Sequence, residues 1–217
     1  MLSSIGIGGY SYIAIAAVTA SAGSPALNAL VERLQHHYQT TESFSASFKE
    51  TLARPGMPPR ERTGMVYYEK PGRMRWDFGE PQPETIVSDG AMIYDYDPGL
   101  NQVVETPLKQ AFKTEAAAAF ILGAGNLRRD FNAAPVAGTP SDGLDHLALT
   151  PKGGGGTIEL GADPKTFDIA TITIADSMGN KTELAFEGFK RNVQLKPSLF
   201  AFAPPPGADI VSSQGTQ

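Results

Sequence analysis

Catalysis needs nucleophiles, acid–base pairs or metal ligands at workable spacing, and this 217-residue chain offers few. It has three histidines. His36 and His37 are neighbours in a helical pattern, so their side chains diverge by about 100° and cannot share a metal. His146 stands alone in an alternating stretch. No H-E-x-x-H or G-x-S-x-G is present. Gly153–Gly156 lacks the Lys-Ser/Thr of a phosphate loop and runs into a strand pattern, so it reads as a turn. Asp95–Asn101 starts like a calcium loop but has neither the central glycine nor the closing glutamate. Carboxylates that could hydrolyse a glycoside exist, but no spacing singles out a pair. Cysteine is absent, which excludes disulfides, thiolate metal sites, thiol nucleophiles and a lipidated N-terminal Cys. The expectation is a protein that is not an enzyme and needs no cofactor or metal.

Charge narrows the partners. Lys and Arg total 18 against 23 Asp and Glu, a formal charge of -5. That balance disfavours nucleic acid and gives no polybasic signal for anionic lipid. The first acid is Glu32 and the first base Arg33. Before them, Tyr12–Ala20 is a short apolar run followed by the small-residue site Ala20-Ser21-Ala22, which reads as a signal peptide over residues 1–22, without a basic start. A transmembrane anchor fits less well, because Gly6, Gly8, Gly9, Ser11, Thr19 and Ser21 interrupt the stretch. One mature domain over 23–217 is expected.

The elements follow from periodicity. Ser24-Pro25 caps a helix in which Leu27, Leu30, Val31, Leu34 and Tyr38 share a face, ending near Gln39. From Phe44 the period becomes two. Strands are expected at 44–48, Gly64–Glu69, Arg73–Phe78, Thr85–Val87, Ala91–Tyr96 and Gln102–Glu105, with Pro71-Gly72 and Asp89-Gly90 as turns. Met74, Trp76 and Phe78 fall on one face of their strand, and Arg73, Arg75 and Asp77 on the other. Pro107 to about Phe131 reads as helical, with the run Glu115–Leu122 ending at Gly123 as a C-cap and Asn126–Phe131 as another short helical turn. Leu144–Leu149, Thr157–Leu160, Ile169–Ile174, Lys181–Phe186 and Leu199–Phe202 return to alternation. About ten to eleven short strands with close turns imply an antiparallel barrel or sandwich. Several strands are apolar on both faces, so the pattern fits either an apolar cavity under helices or an ordinary packed core.

The motifs Glu69-Lys-Pro-Gly-Arg-Met-Arg-Trp-Asp77, Ile86-Val-Ser-Asp-Gly90 and Tyr94-Asp-Tyr-Asp-Pro-Gly-Leu-Asn-Gln-Val103 resemble the LolA family of periplasmic outer-membrane lipoprotein carriers. Phe44-Ser-Ala-Ser-Phe48 and Phe200-Ala-Phe-Ala-Pro-Pro-Pro-Gly207 fit the same family in order, and the likeness runs from about Leu27 to Val211. It implies an α+β fold, an unclosed, highly curved antiparallel β-barrel with an α-helical lid. It implies a monomeric periplasmic chaperone that binds lipoprotein acyl chains, released by an inner-membrane ABC complex, and passes them to an outer-membrane receptor. The same half-barrel also serves as a lipid- or lipoprotein-sensing module, usually with a second domain. Where the family carries a lid-pinning Arg this chain has Lys70, with Arg73 or Arg75 as substitutes. Met74 matches a position at the cavity mouth. Phe48, Met65, Tyr67, Trp76, Met92, Tyr94, Phe112, Phe120, Ile121 and Leu122 are candidates for the acyl-chain lining or for plain core.

Overall fold

The computed structural model describes residues 23–114, 125–136, 138, 140–154 and 156–212. The expected signal peptide at 1–22 lies outside the described residues, as do Phe120, Ile121 and Leu122.

Helix α1 spans Pro25–Thr40. The Ser24 hydroxyl accepts from the Leu27 amide at 3.2 Å, and Pro25 sits in the first turn, where no N–H is needed. Leu27, Val31 and Leu34 recur at helical spacing and are buried. Eleven antiparallel-paired strands follow: β1 (Ser43–Ala53), β2 (Arg60–Glu69), β3 (Arg73–Phe78), β4 (Glu84–Asp89), β5 (Met92–Asp97), β6 (Gln102–Pro107), β7 (Phe131–Ala134), β8 (Asp145–Pro151), β9 (Thr157–Ala162), β10 (Ile169–Ala175) and β11 (Lys181–Arg191). Helices α2 (Leu108–Thr114) and α3 (Leu127–Asp130) come between β6 and β7. A last strand, β12 (Asp209–Ser212), lies parallel to β6. The sheet order is β12-β6-β5-β4-β3-β2-β1-β11-β10-β9-β8-β7, so the curved sheet does not close. The expected fold class holds, with twelve strands among the described residues.

One local expectation changes. Leu199–Phe202 is not a strand: Pro197–Phe200 forms a 3₁₀ turn, and the chain then crosses the face of the sheet rather than joining it. Arg75 Nη1 donates to the Leu199 carbonyl at 3.3 Å, and the Phe202 ring stacks on Tyr94 at 5.3 Å. The edge strand that follows, β12, has no alternating signal because all four of its residues are exposed. The separate helical turn expected at Asn126–Phe131 is present, while Glu115–Gly123 lies outside the described residues. Asn126 starts a new short helix by accepting from the Arg129 amide, and Phe131 leaves it for β7, where its ring is buried.

Register fixes which side chains share a face. Phe44, Ala46, Phe48 and Glu50 of β1 lie opposite Tyr68, Val66, Gly64 and Arg62 of β2. Met74, Trp76 and Phe78 of β3 continue the rows, then Ser88, Ile86 and Glu84 of β4. On the other side of β1, Leu184, Ile172, Leu160 and Leu147 extend the same face across β11 to β8. This inner face carries the core, and α1 lays Leu27, Val31 and Leu34 onto it. Leu34, Leu147, Leu149 and Leu160 are almost wholly buried, each stabilising by about 1.5–3 kcal/mol through lost apolar exposure.

Candidate functional site

An aromatic cluster occupies the inner face around β1. Phe48 meets Trp76 at 4.8 Å and Phe78 at 5.0 Å, both edge to face. Trp76 reaches Phe186 at 6.0 Å, and Phe44 contacts Tyr68 at 5.3 Å and Phe189 at 5.5 Å. Phe186 and Phe189 are three apart, which in a regular strand would put them on opposite faces. A bulge solves this: the β1–β11 register slips between Ser45 and Ser47, and Gly188 takes φ +64. Both rings then turn inward and touch at 5.9 Å.

Between these rings and α1 lies a small apolar cavity of about 20 Å³, lined by Tyr38, Phe44, Val66, Trp76, Ile169, Ile172, Phe186 and Phe189. That is room for about one water, but the lining offers none of the polar partners a water needs. Tyr38 turns its hydroxyl away to accept from the Ile169 amide at 3.1 Å, and burial raises its pKa. A cavity this small cannot hold an acyl chain unless the rings or α1 shift.

Two polar anchors hold the C-terminal half of α1. His37 is buried; its Nε2 lies 3.1 Å from Asp168 Oδ1, and Arg191 Nε pairs with the same carboxylate oxygen at 3.0 Å. Burial, then the Arg191 charge, pushes the His37 pKa below its ordinary value. The second anchor is Lys70, whose ammonium donates to the Gln39 carbonyl at 2.5 Å and lies 3.6 Å from Glu42. Arg73 and Arg75 do not reach α1. They face outward and pair with Glu69 and Asp77.

At the other end of the inner face sits an ion network. Arg62 Nε donates to Glu50 Oε2 at 2.6 Å, and Arg62 Nη1 donates to Glu84. The guanidinium lies 3.9 Å over the Phe78 ring. On β5, the pKa of Asp95 is pushed up to about 6, first by burial and then by Glu84.

The sequence candidates therefore divide. Phe48, Met74 and Trp76 lie together on the inner face, Met74 being buried in the row above Trp76. Met65 and Tyr67 pair with Asp77 and Arg75 on the outer face, and Met92 and Tyr94 fall on the outer face of β5. The sequence grouped these four with the lining because β2 and β5 are apolar on both sides; the register separates them. Tyr94 is covered by the C-terminal segment through Phe202, so its apolar surface has a structural use. Phe112 falls on α2. Tyr38, Phe44, Phe186, Phe189, Ile169 and Ile172 were not singled out. Phe44 was legible from its alternation with Phe48, but Phe189 was hidden by the bulge.

Among the described residues no group of three or more His, Cys, Asp or Glu side chains could hold a metal ion. The carboxylate that faces His37, Asp168, is already engaged by Arg191. None of the described helices is long and apolar enough to cross a membrane.

An open, curved sheet with a helix on its apolar inner face makes the fold a half-barrel. Residues 39–203 match the family "Outer membrane lipoprotein carrier protein LolA", and the chain belongs to that family. It is 31% identical over 206 residues to the outer-membrane lipoprotein carrier protein of Chromobacterium violaceum, covering 94% of this chain and 97% of that one. It is 32% identical over 184 residues to the protein of the same name from Leptothrix cholodnii, covering 83% and 84%. Among solved structures, an uncharacterized conserved protein from Thermus thermophilus superposes with a TM-score of 0.53 at 15% identity, covering 86% of this chain and 99% of that one. A structure of MucB superposes with a TM-score of 0.51 at 15% identity, covering 87% and 66%. The two structures agree in fold alone.

Proposed function

We propose that this chain carries lipoproteins across the periplasm by sheltering their acyl chains against the inner face of the half-barrel. Residues 1–22 act as the export signal and 23–217 as the mature, monomeric carrier. An inner-membrane ABC complex supplies the lipoprotein, and an outer-membrane receptor takes it. The carrying observation is the aromatic inner face around Phe44, Trp76, Phe186 and Phe189, with a cavity that has apolar walls and no reactive group. Family membership and relatives named as outer-membrane lipoprotein carriers support the same reading.

The physics suits a carrier. Each acyl methylene left in water costs about 0.8 kcal/mol, so a lipoprotein cannot cross an aqueous space unaided. A compartment collapsed onto itself when empty exposes little apolar surface, and opens by shifting rings and α1. Release stays feasible because closure restores the ring contacts. Lys70 pins α1 from outside the compartment, and Met74 borders the route by which chains enter.

The test is native mass spectrometry of the mature protein co-expressed with a triacylated lipoprotein. The reading expects a 1:1 complex that vanishes when the lipoprotein's anchor Cys is removed. No complex, with the releasing complex present and the carrier folded, would overturn it in favour of a sensing module.

A further inference from the structure

We propose that Arg62, together with Glu50 and Glu84, forms the floor of the acyl-chain compartment and sets the length of chain it holds. The inference rests on the carrier reading and adds a specificity determinant to it.

The rows of the inner face change character along the strands. From Met74 to Phe78, β3 offers alternate apolar side chains over about 13 Å. The next inward position on β2, beyond Gly64, is Arg62, and the next on β1, beyond Phe48, is Glu50. Glu50 is buried, and Arg62 is 15% exposed. Arg62 closes the layer by pairing with Glu50 at 2.6 Å and with Glu84 across β3, while its guanidinium covers the Phe78 ring at 3.9 Å. Phe78 in turn backs Phe48 and Trp76, the latter a wall of the cavity. From β1 to β4 the order along the strands is therefore aromatic layer, then ion layer, while on β11 and β10 the Glu50 row continues through Leu184 and Ile172, the latter a wall of the cavity.

A methylene driven past Phe78 between β1 and β4 meets Arg62, Glu50 and Glu84, and apolar side chains resume in that row only at Leu184 on β11. It must part Arg62 from a carboxylate that is already largely out of water, which leaves a buried charge unpaired. The opposite end is lined by Tyr68 and Met74; Arg191 stands opposite Phe44 in the same row but is drawn to Asp168 and His37 under α1, and Lys70 holds α1 from outside. Chains enter there and stop at the ion layer.

The experiment measures affinity for synthetic diacylated lipopeptides with progressively longer chains. Below the limit, each added methylene should tighten binding about fourfold. In the wild-type protein the gain should end at a defined length. A single Arg62→Met change would strand Glu50 and damage the fold, so the charges are removed together, as Glu50→Leu, Arg62→Met, Glu84→Leu and, for the carboxyl beside Glu84, Asp95→Asn. In that variant, with thermal melting used to verify folding, the plateau should move to longer chains. Affinity that keeps rising through the longest chain in wild type overturns the inference without need of the variant. So does a plateau that stays put in the folded variant. A wild-type protein that binds no lipopeptide of any length overturns the carrier reading itself, and the floor with it.

Discussion

Lys70 joins the β2–β3 turn to the last turn of α1 by donating to the Gln39 carbonyl oxygen at 2.5 Å. A cation there also faces the negative end of the helix dipole. Lys70 is 21% exposed, so the bond is worth about 1 kcal/mol or less. Lys70→Leu is expected to leave the fold intact, lowering stability by no more than that, while α1 opens too readily. Delivery of a bound lipoprotein to the receptor should slow several-fold. Stopped-flow transfer rates matching wild type would remove Lys70 from the mechanism.

Stability should respond to pH through two groups of opposite sign. The His37 pKa is shifted down by burial, so the folded state favours the neutral ring. The unfolded chain then binds its proton first: the His37 contribution is whole above the ordinary value of 6.5 and is lost as pH falls below it. The Asp95 pKa is shifted up to about 6 from 3.8, so the folded state holds this proton more tightly. Its contribution grows as pH falls through about 6 and is absent at alkaline pH. His37→Gln should flatten the acid side of a plot of Tm against pH. Asp95→Asn should raise Tm at pH 8 by about 3 °C, since the amide relieves repulsion from Glu84 and gains roughly 1 kcal/mol. A Tm at pH 8 that falls in Asp95→Asn would show that the carboxylate is stabilising where it sits.

The fold was legible where period and side chemistry agreed. The helix at Pro25 and the face shared by Met74, Trp76 and Phe78 follow from spacing alone, because one side of each is apolar. Which strand faces turn inward was not legible on β2 and β5. Met65 and Tyr67 are as apolar as Val66 and Tyr68, and only pairing with β3 separates them. Tyr94 looked like lining because the sequence gives no hint that Phe202 returns to cover it. The bulge at Gly188 brought Phe189 into the site against the period-two rule. Long-range pairing, which the local pattern does not encode, decided each of these cases.

Gly64 lies in the middle of β2 at ordinary backbone angles, so its need for glycine comes from space rather than conformation. An added Cβ would sit 2.7 Å from Phe48 Cζ and would collide with the Asp77 carbonyl oxygen. The first neighbour is a ring locked between Trp76 and Phe78, and the second is backbone in the β2–β3 ladder. Neither can yield cheaply. Gly64→Ala should cost about 1–3 kcal/mol, well outside the range of surface changes. Urea denaturation would check it: a midpoint equal to wild type with an unchanged slope would mean that the strand relaxes freely there.

The chain contains a single tryptophan, and Trp76 is a wall of the cavity. Its ring touches Phe48, Phe78 and Phe186, three of the side chains that must move if an acyl chain enters. Its intrinsic fluorescence therefore reports on the compartment with no label. Adding a diacylated lipopeptide should change its intensity and shift the emission toward the blue, saturating at one ligand per protein, as the indole passes from a half-buried packing site into contact with hydrocarbon. Substitution on the outer face supplies the control. Met65→Gln removes an exposed apolar side chain from the far side of the same sheet and should leave the titration unchanged. Phe186→Ala removes a neighbour of Trp76 and should weaken binding at least tenfold if lost ring contact outweighs the room gained. A fluorescence response lost in Met65→Gln but kept in Phe186→Ala would assign acyl binding to the outer face instead.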